Sequence, residues 1–390
     1  MLKVSEPVFY DTTLRDGNEA LKHPWTYEEK LIIFNKLVSL GVKAIEVGFP
    51  ASNDKEFFCC QKLAEQAPDD VIVGVLSCAM PESIEAAAAC LQKAKHPRMN
   101  LFLPMNTLGL KYVLKKDIVA VTKMAIEAIQ KAKFLCPANT EIEFSVEQFG
   151  DCKENFSDVL DAIEKIANAG VDVINLPNTV ERTRPFEFVE MVKQVKQRVG
   201  DKVQLSVHCH NDLGMATATT VESFFAGAVQ LETTLNGLGE RCGNANMFEV
   251  AMALHNSGVN VPLKMEQFYD LANFVAEMSG ITICEKAPLV GKDCLTHRSG
   301  IHQDGANKTR TLHKRQYLAY EPELIGRKDG EKIFFTNQSG KAALQALCAK
   351  NGYYLSKEQL IAILPKAKSL AAQKGELSRD DLVSLCLQCG

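Results

Sequence analysis

Apolar residues along this chain alternate between two spacings. Short runs rich in β-branched and aromatic residues recur through the first two-thirds: VFYDTT from Val8, AIEVGF from Ala44, VIVGVLS from Val71, MNLFLPM from Met99, EIEFSVE from Glu141, VINLPNT from Val173, QLSVHCH from Gln204 and LETTLNG from Leu231. The segments between them have helical periodicity, as in EEKLIIFNKLVSLG, ending in Gly41, and SDVLDAIEKIANAG, ending in Gly170. Glycine readily adopts the left-handed backbone that closes a helix, so each such segment is predicted to stop there. A strand followed by a helix, eight times over, predicts a parallel sheet with right-handed crossovers. Eight units in roughly 250 residues match a closed (β/α)8, or TIM, barrel of the α/β class. No GxGxxG follows the first run, where an open dinucleotide-binding sheet would carry it. The barrel is predicted to span residues 1–262. Residues 263–390 read as a mostly helical appended region, with LSKEQLIAILPKAKSL and SRDDLVSLCLQ as its later helices.

Composition narrows the function classes. The 390 residues, 46% hydrophobic and 24% charged, suffice for a large core and one further region. A net charge of −4 provides no basic face for nucleic acid, and the basic run from Lys111 to Lys116 reads as a solvated surface. No apolar run approaches the roughly 18 residues of a membrane helix, and MLKVSEPVFYDTT lacks the apolar core of a signal peptide, so a cytoplasmic protein is expected. Thirteen cysteines, an odd number with Cys59 and Cys60 adjacent, argue for a reducing compartment rather than a disulfide framework. The one CxxC, Cys386 to Cys389, is a lone pair, two ligands short of a zinc site.

Chemistry in such barrels sits at the carboxyl ends of the strands, so the strand map is also a site map. Strand 1 runs into Asp11-Thr12-Thr13-Leu14-Arg15-Asp16-Gly17, strand 5 into Glu147, strand 6 into Asn178-Thr179 and strand 7 into His208-Cys209-His210. Residues two apart on a strand share a face, so His208 and His210 are predicted to face the mouth while Cys209 points to the helical layer. A lone histidine at a strand end reads as structural; HxH with Asp16 on a neighbouring strand reads as a metal site. Strand 8 ends in Asn236-Gly237-Leu238-Gly239-Glu240-Arg241-Cys242-Gly243-Asn244, where glycines let backbone approach a ligand and Asn244 offers an amide oxygen. Imidazole and oxygen ligands together suit Mg²⁺, Mn²⁺ or Zn²⁺. A 2-oxo acid would chelate such an ion through a carboxylate oxygen and the ketone oxygen, with the Arg15 charge placed to stabilise an alkoxide there.

The motifs DTTLRDG, EVGFP, HCHND, NGLGERCGNA, SGIHQDG at Ser299 and TNQSGKAAL from Thr336 occur in that order over residues 8–345. Together they resemble the DRE-TIM metallolyase superfamily and, within it, the 2-isopropylmalate synthase family. The resemblance implies that an acetyl-CoA methyl group is deprotonated, the enolate attacks a metal-bound 2-oxo acid and the thioester is hydrolysed. It implies Asp16, His208 and His210 as metal ligands, with Asn244 a weaker or indirect fourth. Arg15 would stabilise the substrate oxygen, and Glu147, Thr179 and Asn100 would contact the 2-oxo acid. Asn236, Gly237, Gly239 and Glu240 would bind acetyl-CoA. His302 would move the acetyl proton, reaching the site from the appended region of the other subunit of a homodimer.

The chain departs from that pattern in three places. Asn18-Glu19 stands where the family usually has Glu-Gln or Asn-Gln, and Arg98-Met99-Asn100 where 2-isopropylmalate synthases have Arg-x-His and some citramalate synthases have asparagine. The sequence also ends where full-length members continue into a leucine-binding domain, so insensitivity to leucine is expected. Strands 2 to 4 end in Phe49-Pro50, Leu76-Ser77 and Phe102-Leu103, apolar pairs that favour a branched or short aliphatic 2-oxo acid. The expected reaction is condensation with 2-oxoisovalerate to 2-isopropylmalate, in leucine biosynthesis. The alternatives are citramalate synthase, homocitrate synthase and a hydroxymethylglutaryl-CoA-type lyase. Cys242 lies where such lyases carry a cysteine, but within a synthase-like GERCGNA.

Overall fold

In the computed structural model, residues 6–312 and 314–388 are described. Eight parallel strands close into a barrel in sequence order: β1 (Val8–Asp11), β2 (Ala44–Glu46), β3 (Ile72–Cys78), β4 (Pro97–Pro104), β5 (Glu141–Glu147), β6 (Val173–Asn178), β7 (Gln204–Cys209) and β8 (Gln230–Thr233). Closure is made by β1 on β8, with Tyr10 beside Glu232 and Asp11 beside Thr233. Each strand is followed by a helix: α1 (Tyr27–Leu40), α2 (Asp54–Gln66), α3 (Pro81–Leu91), α4 (Ile118–Leu135), α5 (Phe156–Asn168), α6 (Pro185–Val199), α7 (Ala216–Phe225) and α8 (Met247–Asn256). The eight predicted runs all carry strands, and β4 begins two residues before its run because Pro97 and Arg98 also pair with β3 and β5. The α1 helix opens on a Thr26–Glu29 capping box and closes at Gly41, whose φ of 103° is the left-handed turn expected there.

The barrel interior is polar as well as apolar. Arg98 is almost fully buried, and its guanidinium reaches Glu141 (2.5 Å), Glu143 (3.3 Å) and Gln230 (2.5 Å). Gln230 in turn donates to Glu143 (2.9 Å) and Ser206 (3.0 Å). Hydrogen bonding and pairing offset the cost of burying these charges, and the layer ties β4, β5, β7 and β8 together beneath the mouth.

The chain divides into two compact units. The first runs to Met265 and includes Asp270–Thr282; the second holds Glu266–Tyr269 and the described residues from Ile283. After α9 (Phe268–Ser279), the second unit carries a two-stranded parallel pair, β9 (Thr296–His297) with β10 (Lys332–Ile333). Its helices are α10 (Gly300–Thr309), α11 (Lys341–Lys350), α12 (Lys357–Lys374) and α13 (Arg379–Leu387). Its own core is built from Leu344, Leu360, Ile363, Leu382 and their neighbours. None of the twelve described cysteines forms a disulfide; Cys386 is buried near Cys348, and Cys389 of the CxxC lies outside the described residues. No helix among the described residues is long and apolar enough to cross a membrane.

Candidate active site at the barrel mouth

Arg15 and Asp16 are not on β1 itself but on a π-helical turn, Thr13–Gly17, that follows it. The turn forms because the Asp11 carboxylate folds back to accept from the backbone N–H (3.0 Å) and the hydroxyl (2.8 Å) of Thr13. Gly17 N–H then closes on the Thr12 carbonyl at 3.2 Å. Such turns recur at functional sites because they aim consecutive side chains where a regular helix cannot. His208 lies on β7, while His210 lies just past it, held by a bridge to Asn244 of the loop after β8. Cys209 is buried, its thiol bonded to Thr220 of α7, on the helical side as alternation predicts.

Three donor atoms converge. His208 Nε2 and His210 Nε2 are 3.2 Å apart, and Asp16 Oδ2 is 3.6 Å from the first and 3.7 Å from the second. The point equidistant from these three atoms in their plane lies about 2.0 Å from each, the bond length of Zn²⁺ to nitrogen or Mg²⁺ to oxygen. The three residues are buried and form a group able to hold a metal ion. Asn244 Nδ2 donates to Asp16 Oδ1 (3.1 Å) and to the Leu238 carbonyl (3.0 Å), while its own Oδ1 is buried and accepts no hydrogen bond. That amide supports Asp16 and leaves an acceptor oxygen available, in keeping with an indirect or weak fourth ligand.

The electrostatics fit a cation. Burial alone would raise the Asp16 carboxyl, but the Arg15 guanidinium and the two imidazoles hold it well below the usual range. Burial disfavours a charged His208, yet its bonds to Asp16 and Glu232 push it up to about 9; His210, buried and facing that charge, is pulled down to about 3. Two imidazoles this close do not both hold a proton, and a divalent ion in their place removes the conflict.

Glu46 and Glu232 belong to the site although neither was singled out from the sequence. Glu232 Oε2 lies 2.8 Å from His208 Nδ1, the position from which an outer carboxylate would orient a ligating imidazole. Glu46 is fully buried and meets Arg15 Nε at 2.5 Å, while Arg15 also reaches Asp16 at 2.8 Å. Asn100 donates to Glu46 (3.2 Å), Ser145 to Asn100 (2.8 Å) and Asn175 to Ser145 (3.0 Å). A hydrogen-bonded ring of β6, β5, β4 and β2 thus ends on Arg15. The signal was present as a charged residue inside each of two predicted strands, Glu46 and Glu232.

These residues surround a cavity of about 230 Å³ that Arg15, Asp16, Asn100, Glu147, Thr179, His208, His210 and Glu240 all line. Glu147 ends β5, and burial raises its carboxyl pKa. The Thr179 hydroxyl accepts from Gln148 N–H at 3.0 Å. Glu19 also lines the cavity; burial pushes it up to about 7, although Arg15 lies 4.0 Å away. Asn236, Gly237 and Gly239 are not among the lining residues; Asn236 Nδ2 donates to Ala272 O instead. A Cβ on Gly239 would stand 2.1 Å from Asn244 Nδ2 and 2.8 Å from Asp16 Oδ1, so that glycine makes room for the metal-side residues themselves. His302 lies on α10 in the second unit, exposed and stacked on Tyr317 with ring centroids 4.4 Å apart.

The barrel and its donor triad define a class: a TIM barrel whose mouth carries a buried Asp/His/His group able to hold a metal ion. Residues 6–275 match the HMGL-like family, and residues 289–375 the homocitrate synthase post-HMGL domain-like family. The 2-isopropylmalate synthase 2 of Leptospira interrogans is 47% identical over 96% of this chain and 88% of that protein. The 2-isopropylmalate synthases of Bacillus pumilus and Pyrococcus furiosus are 34% and 35% identical over 97% and 96% of this chain, covering 72% and 74% of their own lengths. The chain belongs to the 2-isopropylmalate synthase family of HMGL-like barrels. HMG-CoA lyase structures from Brucella melitensis and Pseudomonas aeruginosa share the fold, with TM-scores of 0.58 and 0.60 at 20% and 16% identity. Each covers 71% of this chain, and the matches span 100% and 94% of those lyases.

Proposed function

We propose that this enzyme condenses acetyl-CoA with 2-oxoisovalerate and water to give 2-isopropylmalate and coenzyme A, with Asp16, His208 and His210 holding a divalent cation, Mg²⁺, Mn²⁺ or Zn²⁺. The observation that carries the reading is the convergence of those three donors beside Arg15, in a cavity that Leu76, Phe102 and Pro177 also line. The cation supplies Lewis acidity and a template for a 2-oxo acid. The protein's part is to place the reactants. A base removes a proton from the acetyl methyl group, that carbon bonds to the ketone carbon, and the electron pair released onto the ketone oxygen is met by the fixed charge of Arg15. Water then cleaves the thioester C–S bond, leaving a carboxylate and the free thiol.

Glu147, whose carboxyl pKa burial raises, and Thr179 line the cavity where they would contact the 2-oxo acid. The resemblance assigns movement of the acetyl proton to His302 and implies a cytoplasmic homodimer. The apolar wall supports an aliphatic side chain. The arginines lining the cavity are both engaged, Arg15 by Glu46 and Asp16 and Arg241 by Asp212 at 2.7 Å, which leaves neither to meet the second carboxylate of 2-oxoglutarate. The test is thiol release from acetyl-CoA with divalent metal present, run separately with 2-oxoisovalerate, pyruvate, 2-oxobutyrate and 2-oxoglutarate. The largest kcat/KM should belong to 2-oxoisovalerate. Release with none of the four would refute the condensation, and a preference for 2-oxoglutarate would refute the substrate.

A further inference from the structure

The second unit has a cavity of its own, of about 70 Å³. Asn307 and Arg310 at the end of α10, Glu331 just before β10 and Lys350 on α11 line it, with Ile333 and Leu347 among its apolar residues. At roughly 10–15 Å³ for each water-sized group it has space for about five, the size of a phosphate ion or a short carboxylate.

Three of its polar groups are uncommitted. Asn307 Nδ2 is buried and donates to no protein group, although a buried donor without an acceptor is costly and rare. Arg310, which follows the last residue of α10, and Lys350, the last residue of α11, form no ion pair among the described residues. The carboxylates that could neutralise them are engaged elsewhere. Glu331 Oε1 lies 3.0 Å from His297 Nε2, and its Oε2 accepts from Arg315 at 3.2 Å; Asp304, farther back on α10, pairs with Lys308 at 2.5 Å. Two cations and a buried N–H therefore line one cavity with no carboxylate left to meet them. A cation at the carboxyl end of a helix also offsets the helix dipole, but a side chain turned to solvent does that equally well, and the bare Asn307 amide stays unexplained.

We propose that this cavity binds a small oxyanion, a phosphate ion or a short carboxylate, held by the Asn307 amide and the charges of Arg310 and Lys350. Arginine supplies a planar pair of donors, lysine a point charge and the amide an N–H, a set that meets several oxygens of one ion. The apolar residues around them strengthen each charge-assisted bond and leave no room for a large, hydrated polyanion. Bound there, the ion ties the last turn of α10 to α11. Because α10 also carries His302, occupancy sets how firmly that helix is held. None of this depends on the condensation.

Hydrogen exchange of the full chain, with sodium phosphate or with sodium chloride at the same ionic strength, tests the site without using turnover. Millimolar phosphate should slow exchange across α10 and α11 at least about threefold and leave β1 to β8 unchanged, because a ligand withholds its site from local opening. Sodium acetate is the second arm. Protection by phosphate alone assigns a tetrahedral ion and protection by acetate a carboxylate, and either supports the site; protection by neither, or protection confined to the barrel, overturns it. Arg310→Gln with Lys350→Gln, both exposed side chains, should abolish the protection and weaken calorimetric binding of the protecting ion at least about tenfold. Asn307→Leu removes the donor at similar volume and should weaken it about fivefold. Binding unchanged in both variants overturns the proposal.

Discussion

His208 presents Nε2 to the donor triad while its other nitrogen lies 2.8 Å from Glu232. An imidazole so fixed pays its orientational cost before the cation arrives, and replacing the outer carboxylate typically weakens metal binding about 10- to 100-fold. Glu232→Gln should therefore lose metal affinity by that order in a competition titration with a chromophoric chelator, while far-UV circular dichroism stays unchanged. Affinity equal to the parent would remove Glu232 from the site. His210→Ala strips away a proposed ligand rather than its support; it should abolish metal retention after gel filtration and turnover with it. Full activity in that variant would refute the ligand set. Asn100, read from the sequence as a substrate contact, has both ends of its amide occupied, by Glu46 and by Ser145. The amide therefore also braces the wall behind Arg15.

At the scale of elements, the loop after β8 is a buttress. Gly237 accepts from Asn244 N–H at 2.9 Å, Cys209 from Ala245 N–H at 2.9 Å and Gly243 from Asn211 N–H at 2.9 Å, which locks the loop to itself and to the end of β7. Gly239 then brings Asn244 and Glu240 N–H onto Asp16, the latter at 3.0 Å. Gly239→Ala would push a Cβ into Asn244 and Asp16 from a φ of +159°. It should cut metal affinity at least about tenfold, the effect of roughly 1.4 kcal/mol of local distortion. The eight strands should keep their hydrogen-exchange protection. Parent-like metal affinity would show that the loop yields without disturbing Asp16.

At the scale of the whole molecule, the two units each own a core, so damage to one should be read within that unit. Leu344 on α11 is fully buried in the second core, among Leu360, Ile363 and Leu382. Leu344→Ala should cost about 2 to 5 kcal/mol there, through lost burial and the cavity left behind. The loss should appear as faster hydrogen exchange across α11, α12 and α13, with β1 to β8 unchanged. Uniform loss across both units would show instead that they unfold as one.

The order of elements, the barrel class and the triad were legible in the sequence, because strand and helix periods differ and because HxH on a strand allows only one shared face. Local spacing placed His208 and His210 together. Strand order put Asp16, about 190 residues earlier, beside them, but not the means by which it reaches the histidines, a π-turn bent by Asp11 and the closure of β1 on β8. Glu46 and Glu232 were hidden because a buried carboxylate is intelligible only once its partner is known, and their partners, Arg15 and His208, stand on other elements. The Lys111–Lys116 run shows the opposite limit. Its charge was plain in the sequence, but the cavity that Leu108, Tyr112 and Val113 line beside it is formed only by the fold. Sequence by itself determined the repeating units and the chemical type of the site. Tertiary structure decided which charges face each other, because pairing in a barrel depends on strands that adjoin in space and not in order.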